Sequence, residues 1–138
     1  MIHASVKHRI PFHDVDSMKV VWHGYYFKYF EMARSALKKK LGIDVNEISE
    51  LGYLMPVVSF DVRYSQTLIY DQEILIHAMI DDLFYPSVIV RYKISSLDEK
   101  TVFAEASSKQ VYIEAHTKEL CLSLPENVER VMRESISK

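Results

Sequence analysis

The first twelve residues alternate. Ile2, Ala4, Val6, Ile10 and Phe12 fall on one side of an extended chain, and His3, Ser5, Lys7 and Arg9 on the other, the period-two signature of a half-buried strand. Pro11 has no N–H to give a ladder, so the strand ends or lies on an edge there. Farther on the period changes. Tyr26, Phe30, Ala33, Leu37 and Leu41 recur at helical spacing, Tyr29, Met32 and Ala36 widen the stripe, and Lys28, Glu31, Ser35, Lys38 and Lys39 fill the remainder. The pattern predicts a helix over 24–41, roughly 27 Å long at about 1.5 Å per residue. Lys38, Lys39 and Lys40 sit at the negative end of its dipole, and Gly42 supplies the stop. A face this wide calls for a sheet that wraps around it.

"DVNEISEL" (44–51) predicts a short helix or turn, and four strands follow. Val58, Phe60, Val62 and Tyr64 alternate with Ser59, Asp61 and Arg63. Ile74, Ile76, Ala78 and Ile80 alternate with Glu73, Leu75, His77 and Met79. Val88, Val90, Tyr92 and Ile94 alternate with Ser87, Ile89, Arg91 and Lys93. The last and longest sets Val102, Ala104, Ala106, Ser108, Gln110 and Tyr112 against Phe103, Glu105, Lys109, Val111 and Ile113. The short connections "LFYP" and "SLDEKT" force antiparallel hairpins, because parallel neighbours need long crossovers. Pro125 opens a terminal helix with Val128, Val131, Met132 and Ile136 on its apolar side. The order strand, long helix, four strands, short helix is α+β: one long helix wrapped by a five-stranded, mostly antiparallel sheet. No repeat or internal boundary interrupts it, so residues 1–138 are expected to form a single domain.

Composition narrows the classes. The chain is 49% apolar and 26% charged with a net charge of −2, so no broad basic field marks a nucleic-acid partner. The longest apolar runs, such as "LMPVV", are far too short to span a membrane. Cys121 is the sole cysteine, which excludes an intrachain disulfide; with an N-terminal "MIHASVKHRI" that lacks an apolar signal core, it points to the cytoplasm. Cys121 has no His or basic neighbour in sequence to make it a nucleophile.

The densest chemistry lies in "HDVDSMKVVWHGYY" (13–26): two imidazoles and two carboxylates directly before the long helix. Asp14 and Asp16 both suit turns and caps. A helix N-terminus also offers free N–H groups and a positive dipole end to a reaction that develops negative charge. The spacing of His13, Asp14, Asp16 and His23 matches no strong metal-ligand motif, and no metal is expected.

The longer stretch "HDVDSMKVVWHGYYFKYFEMAR" resembles the signature of hotdog-fold acyl-CoA thioesterases of the 4-hydroxybenzoyl-CoA thioesterase and YbgC-like group. That signature is an Asp-x-Asp turn, a hydrophobic pair, an aromatic, a His, and a long helix opening with aromatics and Glu-x-Ala-Arg. The resemblance implies an acyl-CoA thioesterase of the hotdog fold. It implies Asp16 as the catalytic carboxylate, acting as nucleophile or general base, and the backbone N–H near His23 as the group that polarises the thioester oxygen. Asp14 is left a structural part. Met18, Trp22, Gly24, Tyr25 and Tyr26 surround the helix entrance and are the expected substrate-contacting residues, although Trp22, Tyr25 and Tyr26, with Tyr29, equally suit core or interface. No cofactor is implied, coenzyme A being part of the substrate, and the implied assembly is a homodimer or homotetramer with its sites between subunits. A non-catalytic acyl-thioester binder, and a thioesterase acting on acyl carrier protein, are the alternatives. The family often has Gly at the position of Lys19 and Asn at that of Tyr25, and a Pro where this chain reads "YSQTLIYD". Arg63, Arg91, Lys93 and Lys109 are the strand cations able to meet coenzyme A phosphates, and Glu31 with Arg34 is expected as a helix ion pair.

Overall fold

The computed structural model describes residues 2–138; Met1, included in the single-domain expectation, lies outside the described residues. In chain order the elements are β1 (Ile2–Arg9), a 3-10 turn (Phe12–Asp14), a second 3-10 turn (His23–Tyr25), α1 (Tyr26–Leu41), α2 (Val45–Glu50), β2 (Tyr53–Leu54), β3 (Val57–Tyr64), β4 (Glu73–Ile80), β5 (Ser87–Ser95), β6 (Val102–Val111), β7 (Ile113–Glu114) and α3 (Glu126–Ile136). Five strands form one sheet in the order β1-β4-β5-β6-β3, with every adjacent pair antiparallel. The curve of that sheet holds α1, which packs on β1, β4 and β5. This is the hotdog arrangement.

Helical spacing explains the packing. Tyr26, Tyr29, Phe30, Ala33, Leu37 and Leu41 are buried on α1 against Ile74, Ile76, Ala78, Val88, Val90, Tyr92 and Ile94, the inward positions of β4 and β5. Complete burial of an aliphatic or Phe side chain contributes about 1.5–3 kcal/mol, so Phe30, Leu37 and Leu41 alone make this contact a large part of the stability. Gly42 ends α1 in the left-handed region (φ +75°), its N–H reaching the carbonyls of Lys38 and Lys39. A Cβ there would meet Ser135 Oγ at 2.8 Å and Val131 Cγ1 at 2.9 Å, so the same glycine admits α3 against the end of α1.

Four details depart from the periodicity. β1 stops at Arg9, and Phe12, expected on its buried side, is 69% exposed in the turn beyond Pro11. α1 begins at Tyr26, because residues 23–25 wind as a 3-10 turn in front of it. Lys38, expected among the solvent-facing residues, is buried; desolvation, and the charge of Arg34, push its pKa down to about 8. Finally, β2 and β7 pair into a separate two-stranded sheet, each too short to show alternation. The expected Glu31–Arg34 pair is present. His77, on the sheet's outer face, is held between Ser5 Oγ (2.8 Å) and Ser95 Oγ (3.0 Å).

Candidate active site

Asp16 begins a tight hairpin. Its backbone N–H donates to Val20 C=O (3.0 Å), its C=O accepts from Lys19 N–H (2.9 Å), and Val15 bridges Val21 across the two arms. Lys19 takes the left-handed conformation, φ +63°, as a three-residue hairpin loop demands of its last position. That is a conformation glycine enters freely and a lysine only at some cost. Asp16 is exposed, and its carboxylate is fixed by its own loop: Oδ1 accepts from Met18 N–H at 2.8 Å and Val20 N–H at 3.3 Å. The second arm pairs with the β3–β4 connection, where Val21 N–H donates to Leu68 C=O (2.9 Å) and Tyr70 N–H to Lys19 C=O (3.2 Å).

The chain then enters the 3-10 turn that runs directly into α1. Neither turn nor helix has a side-chain cap at its start. The first internal bond is Tyr25 N–H to Trp22 C=O (3.0 Å), so the N–H groups of His23 and Gly24 precede the ladder, as the leading donors of any helix do. On the other side, Tyr64 at the end of β3 donates its hydroxyl to His23 C=O at 3.1 Å. Its ring meets Tyr26 edge-on at 4.9 Å and His23 at 6.1 Å.

Between these parts lies a cleft of about 340 Å³ lined by Asp16, Val21, Trp22, His23, Tyr26, Tyr64, Ser65, Gln66 and Thr67. It unites four of the residues singled out in the sequence: Asp16, Trp22, His23 and Tyr26. Met18, Gly24 and Tyr25 lie outside the lining. Met18 projects from the hairpin tip, 79% exposed. The ring of Trp22 lies over Gly24, where a Cβ would fall 2.2–2.7 Å from the indole carbons, and Tyr25 packs edge-on against the same indole at 5.4 Å. Tyr64, Ser65, Gln66 and Thr67 were not among the expected site residues. Their only signal in the sequence is the altered "YSQTLIYD" segment, which says nothing about the hairpin it meets.

Asp14, the structural carboxylate of the motif, is buried. It is 1% exposed, ion-paired to Lys28 Nζ and accepting a 2.6 Å hydrogen bond from Tyr29 Oη, with His13 Nε2 at 3.6 Å. Burial by itself raises its pKa, but the hydrogen bonds from Lys28 and Tyr29 and the nearby positive charges outweigh it and hold the carboxyl below its ordinary value. The ammonium of Lys28 also lies over the Tyr25 ring, 4.7 Å from its centre. Asp14 therefore ties the Asp16 hairpin to the first turns of α1.

A thioesterase-like superfamily model matches residues 10–132. The chain belongs to the thioesterase-like superfamily. Among its relatives, the provisionally named acyl-CoA thioesterase YneP of Bacillus subtilis (strain 168) is 32% identical over 82 residues, a match covering 59% of each protein. The Staphylococcus aureus DHNA-CoA thioesterase structure superposes with a TM-score of 0.83 at 21% identity, over 99% of this chain and 90% of that one. A structure of an Asp-to-Asn mutant of 4-hydroxybenzoyl-CoA thioesterase complexed with 4-hydroxybenzoyl-CoA gives 0.79 at 19% identity, over 96% and 99%.

In this thioesterase-like protein the strand cations stand apart from the cleft. Arg63, Arg91 and Lys93 line a groove on the sheet's outer face together with Asp61 and Glu105, opposite the face where Tyr64 meets the helix turn. Among the described residues no group of three or more His, Cys, Asp or Glu side chains is placed to hold a metal ion, and no helix is long and apolar enough to cross a membrane.

Replacing Asp14 by Ala leaves the Tyr29 hydroxyl without an acceptor and Lys28 without its partner. Asp14→Ala should cost about 1–3 kcal/mol of stability at pH 7, read as a lower urea midpoint. Because the folded-state pKa of Asp14 is depressed, its contribution is present above the unfolded value of 3.8 and disappears as pH falls through the lower folded value. The gap between wild type and Asp14→Ala should therefore close on acidification below 3.8.

Proposed function

We propose that this protein hydrolyses the thioester of an acyl- or aroyl-CoA to the free acid and coenzyme A, within one domain spanning 1–138. The observation that carries this reading is the joint placement of Asp16 and the uncapped turn at His23 on one aromatic-walled cleft. Asp16, its Oδ1 held by two N–H donors, presents a carboxylate of fixed direction. It either attacks the carbonyl carbon, expelling the thiolate and giving a mixed anhydride that water then cleaves to the free acid and the regenerated carboxylate, or takes a proton from an attacking water, the tetrahedral intermediate then collapsing with loss of the thiolate. In both routes the carbonyl oxygen gains negative charge, which the leading N–H groups at His23 and Gly24 and the positive end of α1 offset; one such donor contributes about 2.7–4 kcal/mol to the transition state. The requirement is met by backbone, so the His23 side chain serves as cleft wall. No cofactor enters either route, since coenzyme A arrives with the acyl group. The likeness to a thioesterase mutated at an Asp and complexed with its aroyl thioester supports this reading.

Asp16→Asn keeps the side chain's shape and removes the charge and basic lone pair. We expect kcat against a screen of short, medium, long and aromatic acyl-CoAs to fall by at least ~10² with the fold retained. An Asn variant as fast as wild type on every substrate that wild type cleaves would sink the assignment, and a wild type that binds but cleaves none would favour the non-catalytic binder.

The cleft wall also speaks to the acyl group. Val21, Trp22, Tyr26 and Tyr64 are apolar or aromatic, no Lys or Arg lines it, and Asp16 is already an anion. A carboxylate on the acyl group would lose hydration without a fixed partner. Benzoyl-CoA or hexanoyl-CoA should therefore turn over faster than succinyl-CoA, and Lys19, exposed on the hairpin, should leave that order unchanged when replaced by Gly. Succinyl-CoA as the faster substrate, with the preference lost in Lys19→Gly, would make Lys19 a specificity residue instead.

The partner is a second copy of the chain. Among the described residues β3 pairs only with β6 and leaves its outer backbone edge open, with Val57, Val58 and Tyr64 40%, 56% and 45% exposed. An open, apolar edge strand invites pairing with another strand. Light scattering should give at least twice the 16.1 kDa of one chain, and Val58→Lys should weaken that association. A fully active monomer would contradict the shared assembly.

A further inference from the structure

The cleft wall opposite Asp16 holds a residue whose contacts go beyond lining. Tyr64 Oη donates to His23 C=O at 3.1 Å, a carbonyl that also receives the N–H of Tyr26 as the 3-10 turn passes into α1. That carbonyl belongs to the peptide unit joining His23 to Gly24. In a trans amide the N–H points opposite the C=O, so whatever fixes the carbonyl of His23 also aims the N–H of Gly24 toward the open N-terminal mouth of the turn. The turn has no side-chain cap, and Gly24 has no side chain of its own to restrain it. The restraint comes from outside. Tyr64 is well placed to provide it, because it sits on a strand: its backbone pairs with Ala104 of β6, and its ring is held edge-on by Tyr26 at 4.9 Å.

We infer that Tyr64 is a positioning residue for hydrolysis, its hydroxyl holding the His23–Gly24 peptide in the orientation that presents the turn's N–H groups to the thioester oxygen. A tyrosine hydroxyl keeps its proton well above neutrality, so it remains a donor across the neutral range. The placement also links the reaction to assembly, since a second copy pairing with the edge of β3 bears on the strand that carries Tyr64.

This inference rests on the acyl-CoA hydrolysis proposed above, and its test separates the two. Tyr64→Phe removes the hydroxyl and keeps the ring. On the acyl-CoA that wild type cleaves fastest, kcat should fall about threefold to tenfold, the equivalent of one neutral hydrogen bond. KM should stay within about twofold, and the kcat loss should be the same for aromatic and aliphatic acyl groups. A substrate contact would instead raise KM and depend on the acyl group; that result, or an unchanged kcat, overturns the inference. Asp16→Asn is assayed beside it. If Asp16→Asn is inactive while Tyr64→Phe matches wild type, the positioning role fails and the hydrolase reading stands. If no thioester is cleaved by wild type, the hydrolase reading fails. A readout independent of activity covers that case: in wild type and Tyr64→Phe, the NMR signals of the His23 carbonyl carbon and the Gly24 amide should move on loss of the hydroxyl while those of α3 stay fixed. Unmoved His23 and Gly24 signals would overturn the positioning role by themselves.

Discussion

Everything in this molecule is arranged around the burial of one side of α1 in the curve of a single sheet. Tyr29, Phe30, Ala33 and Leu37 are wholly inaccessible, and a helix apolar over so wide a face cannot be covered by a flat layer touching it along one line. The sheet has to bend around it, and its five strands, all antiparallel and joined largely by short connections, can do so. Once α1 lies in that curve, its N-terminal turn is carried to the end of the sheet where β3 finishes. The positive end of the helix then faces a cleft instead of open solvent.

A second constraint sets what stands in front of that turn. A carboxylate as buried as Asp14 is costly unless paired and hydrogen-bonded. Lys28 and Tyr29, one helical step apart on α1, supply the pairing. The division of labour between the two aspartates follows from this. Asp14, two residues earlier, is consumed in anchoring the loop, whereas Asp16 sits where the hairpin reverses and keeps an exposed carboxylate. Trp22 forms part of the wall, and its indole is packed from outside the cleft by Gly24 beneath it and Tyr25 against its edge.

Much of this was legible in the chain. The periods of α1, β4, β5 and β6 declare themselves because one face of each is buried, and burial enforces a repeat of two or near four; β1 and β3, whose apolar faces are at most partly covered, carry the same alternation. The positions of Lys38 and Phe12 were misjudged for the converse reason: nothing local tells that a lysine on the flank of α1 will be covered, or that the chain leaves its strand before Phe12. β2 and β7, two residues each, are too short to carry any period.

The same boundary runs through the site. Sequence alone determined that carboxylates precede a long amphipathic helix, that the helix ends at Gly42, and, through the Asp-x-Asp and Glu-x-Ala-Arg pattern, which family the stretch resembles. Periodicity and turn chemistry are local, and local rules are written in neighbouring residues. Only the tertiary structure decided which aspartate is buried, why position 19 strains toward glycine, and that Tyr64 meets the carbonyl of His23, 41 residues away along the chain. Those outcomes depend on which surfaces exclude water and which groups then have to find partners, and that is settled only when strands distant in sequence close around the helix.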